Sequence, residues 1–150
     1  MKTLAREANK VEILRRLRTV RPGDERRWGR MSAHQMICHL IDSARMATGE
    51  RVVRDLSTPL QRTVVKFTAL YLPLPWPAGI PTLPEIDQLA GGIRPTDFSD
   101  DLAELERLVQ LMTDRTLRRP RHPFFGPMSE RAWLRWAYLH MDHHLRQFGK

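Results

Sequence analysis

Tyr138-Leu139-His140-Met141-Asp142-His143-His144-Leu145-Arg146-Gln147 is the stretch on which the reading of this 150-residue chain turns. An α-helix advances about 100° per residue, so His140 and His144, four apart, leave one face of a helix and can reach a single ion. Two histidines make half a metal site. The third candidate ligand lies far upstream in Met36-Ile37-Cys38-His39-Leu40, where His39 interrupts an apolar helical pattern. If the two helices pack side by side, the three imidazoles converge.

The same periodicity extends outward in both directions. An inward stripe of Trp133, Trp136 or Ala137, His140, His144 and Gln147 or Phe148 defines a last helix, entered through a Ser129 N-cap with Glu130 in its first turn. The helix carrying His39 begins at Ser32, with Gln35 three residues on completing a capping box, and ends at Thr48-Gly49. A first helix is predicted from Leu4 to Val20, stopped by Arg21-Pro22-Gly23, and a third from Asp97 to Leu117 on Phe98, Leu102, Leu105, Val109 and Met112. Asp97, Asp100, Asp101 and Glu104 crowd the amino end of that third helix, where the dipole favours negative charge. Between the second and third helices, Thr58 to Leu72 reads as a short additional helix. Pro73, Pro75, Pro77, Pro81 and Pro84 then force an extended path, expected to wrap across the helices as one wall of a pocket. The predicted class is all-α, a single domain over residues 1–150 with a long Pro-rich connection between helices two and three.

Composition excludes several function classes. Lys and Arg number 25 against 17 Asp and Glu, for a net charge of +8. The basic residues are dispersed along every segment, and the densest run, Arg115, Arg118, Arg119 and Arg121, falls at a helix end, so no specific nucleic-acid partner is expected. Cys38 is the only cysteine, which rules out an intrachain disulfide and favours a reducing, cytoplasmic setting. Met1 to Glu7 lacks the apolar run of a secretory signal. The longest apolar region, Thr63 to Trp76, is broken by Lys66 and prolines and is too short for a bilayer. No glycine-rich phosphate loop, Gly-x-Ser-x-Gly elbow, Cys-x-x-Cys pair or paired-carboxylate pattern is present.

Three blocks in order, Trp28-Gly29-Arg30-Met31-Ser32-Ala33-His34-Gln35-Met36-Ile37-Cys38-His39-Leu40, His122-Pro123-Phe124-Phe125-Gly126-Pro127, and His140 through Gly149, resemble the DinB/YfiT-like superfamily over most of the chain. The resemblance implies an up-down-down-up four-helix bundle and a divalent ion, nickel or zinc, held by one histidine of the second helix and two of the last. Those positions are His39, His140 and His144. It further implies an enzyme of thiol-dependent S-transferase type acting on a small-molecule substrate, with a low-molecular-weight thiol as second cofactor, and a homodimeric assembly. The alternatives are a metal-dependent hydrolase with the same ligands and a noncatalytic metal- or ligand-binding stress-response protein.

The donor set suits open-site chemistry. Three neutral imidazoles leave coordination positions free, and an ion held that way acidifies a bound thiol or water. Ser43 and Gln147, on the inward faces of their helices, are candidates to hydrogen-bond the ligands or touch substrate. No catalytic residue beyond the ligands is assigned. His143, a quarter-turn off the stripe, is expected to cap a neighbour or meet solvent. His34 and His122 are expected to be structural or exposed, Asp142 to face solvent, and Cys38 to be a buried, inert thiol.

Overall fold

A computed structural model describes residues 1–150 and contains five α-helices and no strand. They are α1 (Glu7–Leu17), α2 (Ala33–Thr48), α3 (Lys66–Tyr71), α4 (Phe98–Leu111) and α5 (Glu130–Gln147). A π-helical turn, Gln61–Val65, leads into α3, and a 3₁₀ turn, Pro84–Ile86, interrupts the connector that follows. No helix is long and apolar enough to cross a membrane.

Local chemistry sets four of the helix ends. Ser32 accepts from Gln35 N–H while the Gln35 side chain accepts from Ser32 N–H, the reciprocal capping box that satisfies two free amides of α2. Gly49 closes α2 at φ 87°, a left-handed conformation in which glycine carries no side-chain penalty. Asp97 caps α4 through Ser99 N–H and Asp100 N–H, and Ser129 caps α5 through Ala132 N–H.

Two helices are shorter than their periodicity predicts. α4 stops at Leu111 rather than Leu117, because the Asp114 carboxylate accepts from both Thr116 N–H and Thr116 Oγ–H and draws the chain into a turn. α1 starts at Glu7 rather than Leu4, since Leu4 N–H is spent on Leu134 O of α5 and Thr3 O accepts from Asn9 Nδ2.

α5 is the central element. Trp133, Trp136, Ala137, Met141 and Leu145 all belong to one cluster of 28 buried apolar residues that also takes in Ile13, Leu14 and Leu17 of α1, Met36, Ile37, Leu40 and Ile41 of α2, and Leu105, Leu108 and Val109 of α4. α1, α2 and α3 each pack against α5, and α2 packs most extensively against α4. Asp142 does not face free solvent as its position on the helix suggested. It bridges α5 to α1 through Arg16 at 2.8 Å and is braced within α5 by Arg146 at 2.9 Å. The side packing of α2 on α5 is what brings His39 beside His140 and His144.

The connector lies against the helices. Arg135 of α5, itself buried, donates to Leu70 O at the end of α3. Trp76 Nε1–H donates to Ala69 O at 2.8 Å, folding the Pro-rich segment back onto α3. Because the capping box fixes where α2 begins, and with it the rotation that turns His39 inward, Ser32→Ala is expected to cost about 1 kcal/mol. That loss should appear as a lowered urea midpoint at unchanged slope. No shift at all would contradict this account of the end of α2.

Candidate metal centre

His39 and His144, both buried, and His140, half-buried, bring ligand atoms within 4.8 Å of one another, and the group could hold a metal ion. Each ring is oriented by something other than an ion. His39 Nδ1 lies 2.8 Å from Ile86 O, and since a carbonyl can only accept, Nδ1 carries the proton and Nε2 is bare. Gln147 Nε2 donates to Trp28 O at 2.8 Å, which fixes the side-chain amide so that its Oε1 faces His144 Nδ1 at 3.0 Å. His144 therefore also presents a bare Nε2. His140 is held by stacking on Trp136, with ring centroids 4.9 Å apart and planes 15° apart.

His39 Nε2 and His140 Nε2 are 3.3 Å apart. Two nitrogens bound to one ion at about 2.0–2.1 Å with a tetrahedral angle between them lie about 3.3 Å apart, so the separation of this pair is compatible with a shared ion. The electrostatics agree. Burial pushes the pKa of His39 down and those of His140 and His144 well down, with the neighbouring imidazoles adding to the effect for the latter pair. All three are neutral bases, the form that binds a metal.

The frame behind His39 is a second set of residues. Asp42, fully buried one turn along α2, accepts from Gln88 Nε2 and Ile93 N–H and pairs with Arg51 at 2.9 Å. Arg51 Nε donates to Glu85 O and its Nη2 to Gly91 O. These contacts fasten residues 85–93 to α2 and so hold Ile86 O against His39. Burial pushes the Asp42 carboxyl up, opposed by the Ile93 N–H and the Arg51 guanidinium. Sequence reasoning missed Asp42. The available signal was a lone acidic residue within the apolar run Met36 to Ala47.

The triad opens onto a cavity of about 580 Å³. Its walls are the Pro-rich connector from Leu74 to Leu83, the α3 side with Gln61, Val65, Thr68 and Ala69, the turn His122 to Phe125, and Trp136. The expectation that the connector forms one wall of a pocket holds. No Asp, Glu, Lys or Arg lines it. Ser43 lines it beside His39, with a buried Oγ that has no hydrogen-bond partner.

His143 stands elsewhere than the sequence suggested, and His122 takes the structural of its two expected roles. His143 is buried rather than solvated, packed against Trp28 and Trp76 at the cavity edge, because α5 is covered on nearly all sides. His122 is likewise buried, and burial pushes it down to about 3. His34 is structural, bonded to Asp101 at 2.7 Å, and Cys38 is buried beside the same carboxylate. Burial and that carboxylate push the Cys38 thiol up to about 12, consistent with an inert cysteine. Asp101 also accepts from Thr96 N–H and Oγ–H, so this second cluster is a satisfied helix-to-loop staple.

The family model described as the DinB superfamily matches residues 11–148. No curated protein and no solved structure gives a significant match.

Acid should unfold the metal-free protein early. The pKa values of His39, His122, His140, His143 and His144 are all lowered by burial, so below their ordinary value of about 6.5 the unfolded chain binds protons that the folded chain does not. Stability is then full above that pH and falls as pH drops through the histidine range. Thermal melts in chelator from pH 7.5 to 5 are expected to show this decline, and a shallower one in a His39→Ala, His140→Ala, His144→Ala variant. Equal slopes would contradict the assignment of three neutral imidazoles.

Proposed function

The chain belongs to the DinB superfamily, and from that premise we propose that it is a divalent-metal-dependent enzyme of thiol-transferase type. The observation that carries this reading is the convergence of three neutral imidazoles, two with Nε2 bare, on an uncharged apolar cavity. His39, His140 and His144 would hold the ion, zinc or nickel. A divalent ion bound there supplies Lewis acidity that lets a thiol or water lose its proton near neutral pH.

The reaction class is group transfer. The sulfur of a low-molecular-weight thiol forms a bond to an electrophilic carbon, the leaving group departs with the bonding electrons, and the thiol proton ends on water or on the leaving group. What the chain contributes is position and dryness. The Pro-rich wall and Trp76, Phe124 and Trp136 exclude water, and no carboxylate lines the cavity to serve as the base that activation of water by the protein itself would need. Deprotonation of thiol or water would therefore rest on the ion in either reading, and thiol dependence of turnover separates them.

Metal content decides the first half of this reading. Wild-type protein is expected to carry near-stoichiometric zinc or nickel after loading and dialysis, and the triple His→Ala variant almost none at preserved helicity. Equal metal in both proteins would sink the site. Activity decides the second half: consumption of an electrophile such as 1-chloro-2,4-dinitrobenzene should require both thiol and metal, whereas turnover without thiol would indicate the hydrolase. Gln147→Leu removes the acceptor behind His144 Nδ1 and is expected to weaken metal binding by about 10–100-fold. Competition with a chromophoric chelator measures that loss, and an unchanged affinity would mean that Gln147 does not orient the ligand.

A further inference from the structure

Across the connector from the triad lies a second cavity, of about 460 Å³, between α1, α5 and residues 72–76. Leu74, Pro75 and Trp76 line both cavities, so one wall of chain divides them. Their charge differs. The first has no Asp, Glu, Lys or Arg in its walls, whereas the second is lined by Lys2, Glu12, Arg135, Asp142 and Arg146. Leu72, Trp76 and Leu139 give it an apolar side.

Both carboxylates of the second cavity already have cationic partners. Glu12 pairs with Lys2, accepts from Tyr138 Oη–H at 3.2 Å and has Arg16 at 3.7 Å, while Asp142 pairs with Arg16 at 2.8 Å and Arg146 at 2.9 Å. Arg135 pairs with neither. It is 8% exposed, and two neutral backbone carbonyls hold its guanidinium, Nε–H donating to Leu70 O at 2.9 Å and Nη1–H to Lys2 O. Its Nη2 has no hydrogen-bond partner and is not among the side-chain atoms sealed from solvent, so this one donor group opens on the cavity that Arg135 lines.

A largely buried guanidinium without a counter-charge is costly, because carbonyl dipoles return only part of the hydration it has lost. The cost falls when an anion arrives. Lys2, Arg135 and Arg146 outnumber Glu12 and Asp142 in the cavity, and Arg16 behind the carboxylates is a further cation, so a negative group restores the balance. With Nε and Nη1 fixed, Nη2 is already oriented, and a ligand that meets it has little side-chain freedom to quench. We propose that this cavity binds a small organic carboxylate, one oxygen accepting from Arg135 Nη2–H and the apolar body lying along Leu72, Trp76 and Leu139. The site goes beyond the thiol-transfer reading and does not depend on the ion.

The test uses a matched pair of probes, 3-phenylpropionate and 3-phenylpropionamide, which share a shape and differ in charge. Their affinities are measured by titration calorimetry on wild-type protein and on three variants. Wild type is expected to bind the carboxylate about tenfold more tightly than the amide. Arg135→Met keeps an apolar stem but no cation or donor, and should bind the two probes alike. Arg118→Met removes the same charge from an exposed position outside the cavity and should leave the preference unchanged, which separates the site from the general attraction of a +8 chain for anions. The triple His→Ala variant should also keep the preference, since a carboxylate that sat on the ion instead would lose it.

In ¹⁵N-edited spectra of the wild type, 3-phenylpropionate should shift the backbone amides of Leu72, Leu139 and Asp142 and leave those of Ser43 and Ile86, beside the triad, in place. This measurement holds even if Arg135→Met fails to fold. Equal affinity for the two probes in wild type, a preference kept by Arg135→Met, one lost in Arg118→Met or in the triple variant, or shifts centred on the triad would each overturn the proposal. A wild type without metal but with the preference intact would overturn only the metal reading.

Discussion

The packing of three imidazoles against one another at the contact of α2 and α5 is the constraint around which the rest of the structure is arranged. A lone buried histidine can lose its charge and pack as a flat, half-polar ring. Three with Nε2 atoms drawn together, two of them bare, cannot all be satisfied by each other, because His39 Nε2 and His144 Nε2 have lone pairs and no protons. The 3.3 Å approach between His39 Nε2 and His140 Nε2 can be bridged by one proton in the metal-free protein, and one donor cannot serve every lone pair in the group. A cation at the centre resolves all three at once.

Much of the remaining architecture keeps those rings from turning. Residues 85–93 are fastened by Asp42 and Arg51, and through Ile86 O they hold His39. The segment around Trp28 performs the same service at the other end. Trp28 O orients Gln147, which orients His144, and Gly29 at φ 81° has no room for a Cβ against the Gln147 amide. Arg27 N–H also donates to Gln147 O at 2.7 Å, so the segment entering α2 clasps the last turn of α5. Thus the Trp28-Gly29 pair, the connector and both helix faces act on one small volume.

What was legible in the sequence is the part governed by local rules. Ser32 with Gln35, Gly49, Asp97 and Ser129 stand at the helix ends where capping chemistry placed them. The four-residue spacing of His140 and His144 put them on the face that meets His39. What was not legible depends on contacts far apart in the chain. Asp42 looked like a stray charge in an apolar run, and only the folded connector gives it Gln88, Ile93 and Arg51 as partners. His122 looked like a loop residue before proline, because a sequence pattern does not show that a five-residue turn will bury its ring between Phe125 and two tryptophans. Periodicity also overran both ends of α1, which stops at Leu17 short of Val20, and the end of α4; Asp114 and the Leu4 to Leu134 hydrogen bond overrule it at two of these.

The central claim, that these three imidazoles converge on one ion, is tested most directly by X-ray absorption on protein loaded with a single equivalent of zinc. Convergence on one ion gives a first shell with about three imidazole nitrogens at about 2.0–2.1 Å, with the outer-ring scattering that imidazole produces and no sulfur from the protein. A spectrum containing a protein sulfur, or fewer than three imidazoles, would place the ion elsewhere and contradict the arrangement described.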